Sequence, residues 1–424
     1  MPAGADDAVE TETKGGSLTP LTLGFIPLVD CAPLVVAKAK GFAAAEGLSL
    51  SLARETSWAN IRDRVMLGHF DAAQMLGPMP IASTLGIGHV EAPMIAPFSL
   101  GLGGNAITLS PAVFAEMETA GVSLASGPAA MGKALASVAA RRRDGRGTPL
   151  TLAVVHPFSG HNYELRYWLA AAEIDPDQDV RIIVLPPSSM VDAALDRRID
   201  GFCVGEPWNS LAIEAGAGVI AVTKSSLWRQ GPEKVLGLRA DFAQRRPETL
   251  SALLRALYRA AEWAGRRENH AELSRMLGAP DHLAVPAEII ARALSGGLMR
   301  TSGGEPQSIS DFLVFHDHAA NFPWQSHSLW FYSQMVRWGQ IRYSPALAQK
   351  ARETYRPDLY RAALAEAGID LPRASAKVEG ALKTATPVAS RNGAMTLGPD
   401  GFFDGRLFDP DEIETYLKSF GVQF

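Results

Sequence analysis

The sequence predicts an α/β protein of two lobes, with a cleft and hinge between them and a helical C-terminal region. Three observations carry that expectation. The chain has 424 residues, more than a single hydrophobic core usually serves. From Leu21 onward short apolar runs alternate with amphipathic ones, the βαβ order that builds a parallel sheet with covering helices. Asn105-Ala106-Ile107-Thr108-Leu109 then reads as a strand that leaves the first such unit for a second.

The elements follow in order. Leu21 to Ile26 is an apolar strand stopped by Pro27. Ala32 to Glu46 reads as a helix ended by Gly47. Leu48 to Leu52 alternates as a half-buried strand does. Ser57 to Gly68 is a second helix, with Thr56 or Ser57 as its cap, and Phe70 to Leu76 a third strand ended by Gly77-Pro78. The second lobe continues with a strand from Leu150 to His156, a helix from His161 and a strand from Arg181 to Leu185. A helix from Ser188 to Arg198 and a strand from Gly201 to Val204 complete it. The chain is expected to return at Glu206-Pro207-Trp208 and to be mostly helical from there. The expected division is therefore a disordered acidic tail over 1–19, a first lobe over 20–104, a second lobe over 105–208, and the completion of the first lobe with the C-terminal region over 209–424.

Composition narrows the class. At 47% hydrophobic and 20% charged residues this is an ordinary globular chain, and a net charge of −5 implies no direct nucleic-acid binding. Cys31 and Cys203 are far apart and read as buried free thiols. No apolar run approaches the roughly 20 residues that span a bilayer, so no membrane segment is expected. The stretch from Met1 to Ser17 carries Asp6, Asp7, Glu10 and Glu12 against Lys14, with no basic or apolar region of an export signal, and the expected location is cytoplasmic. Arg141-Arg142-Arg143-Asp144-Gly145-Arg146-Gly147 is expected to be a solvated flexible loop.

Four residues point to a small anion. His161 sits on the first turn of a helix that follows a strand and a Pro/Ser/Gly turn, where free N–H groups and the helix dipole favour negative charge. Lys234 stands at the mouth of a strand and supplies a positive charge; Asn105 supplies amide donors; Trp58 supplies a flat wall or an indole N–H. All four fall at strand ends or turns, where open α/β sheets bind ligands. A buried anion without such partners would cost several kcal/mol.

The strings Asp71-Ala72-Ala73-Gln74-Met75-Leu76-Gly77-Pro78-Met79-Pro80, Arg166-Tyr167-Trp168-Leu169-Ala170-Ala171 and Phe202-Cys203-Val204-Gly205-Glu206-Pro207-Trp208-Asn209 resemble the NrtA-like nitrate-binding proteins and their cytosolic relatives, the NasS-type nitrate/nitrite sensors. The resemblance covers roughly Leu21 to Phe424. It implies a type II periplasmic-binding-protein-like fold and a site in which a tryptophan, a glutamine, a histidine and a lysine surround the anion. By motif these are Trp58, His161 and Lys234, with Asn105 in place of the glutamine. Bicarbonate-binding relatives carry an acidic residue at the lysine position, so Lys234 implies an anion without a proton to donate. The sensor resemblance further implies nitrate and nitrite as ligands and a NasT-type RNA-binding antiterminator as partner, released when the anion binds. His161→Ala and Lys234→Ala are each expected to weaken nitrate binding while leaving the fold intact. Two other readings remain open: the receptor of a nitrate ABC importer, and a biosynthetic enzyme on the same fold. No cofactor and no catalytic residue are expected. Gly101-Leu102-Gly103-Gly104-Asn105-Ala106 precedes a strand and not a helix, so it is not a dinucleotide fingerprint. His316, His318 and His327 read as part of an aromatic-rich helical region and not as a metal site.

Overall fold

The computed structural model describes residues Ser17 to Phe424, apart from His89, Arg146 and Ala394. Of the acidic tail expected over 1–19, residues 1–16 lie outside the described residues, and Thr19 already opens the first strand.

The first lobe begins with β1 (Thr19–Phe25), α1 (Ala32–Ala39), β2 (Leu48–Arg54), α2 (Trp58–Met66), β3 (Ala72–Leu76) and β4 (Met94–Ser99). In β2, Leu48 and Leu50 point inward while Ser49 and Ser51 face solvent, the alternation the sequence shows. The helix expected over Ala32 to Glu46 is broken in two. Gly41 adopts a left-handed conformation (φ 72°), which ends α1 and starts a separate turn of helix at Phe42. Neither expected cap of α2 holds: Ser57 has the extended dihedrals of a cap, yet its side chain accepts no bond.

The second lobe contains β5 (Asn105–Leu109), α3 (Pro128–Asp144), β6 (Leu150–Val154), α4 (Gly160–Ala171), β7 (Val180–Val184), β8 (Gly201–Gly205), β9 (Val219–Thr223) and the single turn α5 (Lys224–Leu227). The helix expected over Ser188 to Arg198 is shorter, a 3-10 turn and then Met190–Leu195, since Arg197 turns left-handed. The basic run begins as helix and not as a flexible loop, over Arg141 to Asp144. Arg141, Arg142 and Arg143 form the last turn of α3, where positive charge suits the helix dipole. Arg142 bridges Asp200 (2.9 Å) and Glu116 (3.2 Å), and Arg143 meets Asp179 (2.6 Å).

The chain crosses back with β10 (Lys234–Arg239), later than the Glu206-Pro207-Trp208 segment, because β9 still pairs with β5. The two five-stranded sheets run β2-β1-β3-β10-β4 and β9-β5-β8-β6-β7. Each is parallel where its own lobe supplies adjacent strands, and each receives one antiparallel strand from the crossing chain: β10 against β3 and β4, β5 against β8 and β9. The crossing segments lie side by side, with Leu100 N–H donating to Lys234 O (2.8 Å) and Gly103 N–H to Gly231 O (3.0 Å). This paired connection lies where the sequence expects a hinge, and its own backbone bonds hold the two segments together.

After β10, α6 (Pro247–Gly265) buries Leu253, Leu254, Leu257 and Ala260 against the first sheet's core. Further on, α7 (Gln325–Arg337) is buried along most of its length and packs between the lobes. Its Phe331 ring lies 6.4 Å from Tyr163 on α4, and Tyr163 Oη donates to Gln340 (2.7 Å). Tyr355 Oη donates to Gly77 O (3.2 Å) at the end of β3. The C-terminal region therefore rests on both lobes.

Candidate anion site

Two lysines, three carboxylates and a histidine are buried together where the crossing segments meet the strand ends. The first lobe contributes Asp30 from the turn after β1, Trp58 from the start of α2, Gln74 from β3 and Lys234 from the start of β10. The second contributes Asn105 from β5, His161 and Glu164 from α4, and Lys224 from α5. Glu233, on the returning crossing segment, is the point on which they converge.

The local sequence explains each placement. Ser159 caps α4: its Oγ accepts from Asn162 N (3.0 Å), which aims the first turn of the helix at the crossing chain. Gly160 leaves room for two carboxylates, since a Cβ there would fall inside contact with Glu233 Oε2 and within 3.1 Å of Glu164 Oε1. Lys234 is the first residue of a strand buried on both faces, so its side chain has no route to water. Its Nζ lies 5.6 Å from the centre of the Trp58 ring, a cation over an aromatic face.

The four residues expected from sequence come together, with Glu233 between them. Lys234 Nζ donates to Glu233 Oε1 (2.8 Å) and Asp30 Oδ2 (3.0 Å). Asn105 Nδ2 donates to Glu233 Oε2 (2.7 Å), and His161 Nδ1 is 3.5 Å from Glu233 Oε1. Sequence reasoning missed Lys224, Glu164, Glu233, Asp30 and Gln74. Lys224 Nζ donates to Glu164, to Glu233 Oε2 (2.9 Å) and to Pro232 O (2.6 Å). Gln74 donates to Asp30 and accepts from Ile26 N (2.8 Å). One signal for Lys224 is present in the sequence: it opens a helix straight after a strand of the second lobe, and His161 also stands on the first turn of a helix that follows a strand.

The electrostatics follow from burial and pairing. Burial opposes the charge on Lys224 and Lys234, and the adjoining carboxylates more than offset it, so both ammonium groups are held above their ordinary range. Burial likewise opposes ionisation of Glu233, but Lys224 and Lys234 outweigh it and hold this carboxyl well below the usual range. Asp30 and Glu164 are raised, because burial exceeds the help each receives from its single lysine. His161 is pushed down to about 3, by burial first, so its ring is neutral and can donate one hydrogen bond. Neither ring nitrogen has a hydrogen-bond partner among the described residues, nor does Trp58 Nε1 or Asn105 Oδ1. Unpartnered buried donors are rare and costly, and two of them here flank a pair of lysines.

Beside this cluster, Glu206 joins the lobes through its backbone, donating to Gly104 O (3.1 Å) and accepting from Val29 N (2.8 Å). Its carboxyl is buried, and burial lifts it from 4.5 to about 7. The folded state therefore holds a proton that the unfolded chain releases near 4.5. Stability is full below that pH and is lost as pH rises towards 7, by roughly 3 kcal/mol in all. Glu206→Gln is expected to unfold at higher urea concentration than wild type at pH 8, with the difference vanishing at pH 4. Equal midpoints at pH 8 would contradict it.

Elsewhere the setting is unremarkable for metal chemistry. His316 faces Asn321, His318 the Thr396 carbonyl, and His327 Glu379, so the three histidines do not converge. Cys31 and Cys203 are buried and free. Among the described residues no helix is long and apolar enough to cross a membrane.

The chain is similar in sequence and fold to known proteins. Residues 14–278 match the model of the NMT1-like family. The nitrate/nitrite binding protein NrtA of Nostoc is 31% identical over 96% of this chain and 86% of its own length. The nitrate import ATP-binding protein NrtC of Synechocystis is 36% identical over 95% of this chain, which spans only 55% of that protein, and the bicarbonate transport protein CmpC of the same organism reaches the same identity. Among solved structures, the periplasmic nitrate-binding protein NrtA from Synechocystis superposes with a TM-score of 0.82 at 29% identity, covering 96% of this chain and 99% of its own.

Proposed function

Because this chain belongs to the NMT1-like family and, within it, to the NrtA-like nitrate-binding proteins, we propose that its buried site binds nitrate and nitrite. One observation carries the reading: Trp58 Nε1 and the His161 ring, buried and without partners, adjoin Lys224 and Lys234 at the junction of the two sheets. A planar, singly charged acceptor uses those groups. Lys234 and Lys224 supply charge, His161 and Asn105 supply hydrogen bonds, and Trp58 supplies its indole N–H or its face. Lys234 also favours nitrate over bicarbonate, whose binders carry an acid at the matching position.

The role best supported is the solute-binding receptor of an ABC importer, since relatives at 30% identity or more that this chain matches along most of their own length are nitrate/nitrite binding proteins. The second reading is a cytoplasmic sensor that holds a NasT-type RNA-binding antiterminator and releases it on anion binding. It is favoured by the site's construction from both lobes, which lets a small ligand bias the shape a partner meets. The receptor requires an exported native protein with a processed N-terminus. The sensor requires a complex with the antiterminator that nitrate dissociates on size-exclusion chromatography.

Titration calorimetry tests the ligand. Nitrate and nitrite are expected to bind, and bicarbonate not to bind at comparable concentration. His161→Ala should weaken nitrate binding by about ten- to a hundredfold, the loss of roughly 1.5–3 kcal/mol. Bicarbonate heat without nitrate heat, or an unaffected His161→Ala variant, would refute the assignment.

A further inference from the structure

We propose that Glu233 is a specificity-determining residue of this site: its carboxylate competes with the anion for the same donors, so nitrate binds together with one proton. The inference rests on the nitrate reading above. A glutamate carboxylate is itself planar, singly charged and an acceptor at both oxygens. Here it accepts from Lys224 (2.9 Å), Lys234 (2.8 Å) and Asn105 (2.7 Å), three of the groups assigned to the anion, and His161 lies 3.5 Å away.

The charge count gives the consequence. The cluster holds two ammonium groups, Lys224 and Lys234, against three carboxyls, Asp30, Glu164 and Glu233, all buried. With every carboxyl ionised the sum is already negative by one. A further buried anion would leave two uncompensated negative charges in a medium where each is costly. Glu233 keeps its charge through the two lysines that the anion needs. Once nitrate takes a share of their hydrogen bonds, burial again dominates at Glu233, and protonation is the cheaper state. The other titratable groups facing it do not serve. His161 is neutral and its conjugate acid would be buried beside two lysines. The Cys203 thiol and the Tyr355 phenol are held neutral by burial. Asp30 and Glu164 each bond one of these lysines, and Glu233 shares both, so Glu233 loses most when the anion takes a share of their bonds. The position also suits the role: Glu233 lies on the returning crossing segment, and its carbonyl accepts from Gly77 N (2.8 Å) at the end of β3. A change at this carboxyl is thus felt by the connection between the lobes.

The test is titration calorimetry of the full chain with sodium nitrate, in two buffers of different protonation enthalpy, between pH 7 and 8. Wild type should take up close to one proton per nitrate bound, read as a buffer-dependent heat, and should lose about tenfold in affinity per pH unit. Glu233→Gln keeps the shape and removes the charge. It should bind nitrate at least tenfold more tightly, with heats independent of buffer and affinity independent of pH. Buffer-independent heats in wild type overturn the inference without any variant, and leave nitrate binding standing. Uptake that persists in Glu233→Gln and disappears in His161→Asn assigns the proton to the histidine and overturns it too. Absence of nitrate heat in wild type and in a folded Glu233→Gln protein overturns the nitrate reading, and this inference with it.

Discussion

Lys234→Ala is expected to abolish measurable nitrate binding and to destabilise the fold by about 3–5 kcal/mol at pH 8. The sequence alone suggests a clean binding variant with the fold intact. The structure contradicts that, because Lys234 Nζ is the shared partner of Asp30 and Glu233, both buried. Removing the ammonium leaves Asp30 without a counter-charge and Glu233 with Lys224 alone, and protonation of Asp30 becomes favourable. In the variant the folded-state pKa of Asp30 lies further above the unfolded one, so its stability is retained at low pH and lost as pH rises. The gap to wild type should therefore be large at pH 8 and shrink towards pH 5. Urea unfolding followed by circular dichroism at the two pH values measures it. A variant as stable as wild type at pH 8 would mean that Lys234 is not the counter-ion of this cluster.

The second large effect is expected at the hinge. Gly103→Ala should cost several kcal/mol, for two reasons that add at one position. Its φ of 78° lies in the left-handed region that other residues seldom adopt. A Cβ there would also collide with the carbonyl oxygen of Phe312, a backbone atom that cannot turn aside. The neighbouring Gly104 N–H donates to that same carbonyl (2.6 Å), so relief by moving the loop would break a bond. The same urea experiment reads the loss. A variant within 1 kcal/mol of wild type, the ordinary size of a surface substitution, would show that the crossing segments are not held as described. Gly121→Ala is the control: its φ of 85° is similar, but no atom lies within 4 Å of the added carbon. It should show the backbone strain without the collision.

Much of the fold was legible because it rests on local physics. β5 begins and ends at Asn105 and Leu109 as its apolar run dictates, and β2 alternates because one of its faces is buried. His161 and Lys234 stand at the starts of α4 and β10 because Ser159 and the Gly231-Pro232 turn place those starts. The misplaced boundaries also have local causes: Gly41 turns the chain left-handed inside an otherwise helical pattern, and Arg197 does the same at the end of another. What tertiary structure alone decided is which charges share a site. Arg142 belongs to a run that reads as solvent-exposed, yet the fold ties it to Asp200 across the lobe, and the fold likewise buries Lys224 beside Glu164 and Glu233. Asp30 and Lys234 are 204 positions apart and meet because β1 and β10 both flank β3. The sequence determines which residues can carry charge and where strands and helices begin. It does not fix how many opposing charges are buried together, since that depends on long-range sheet order, and here that number sets the charge of the buried cluster.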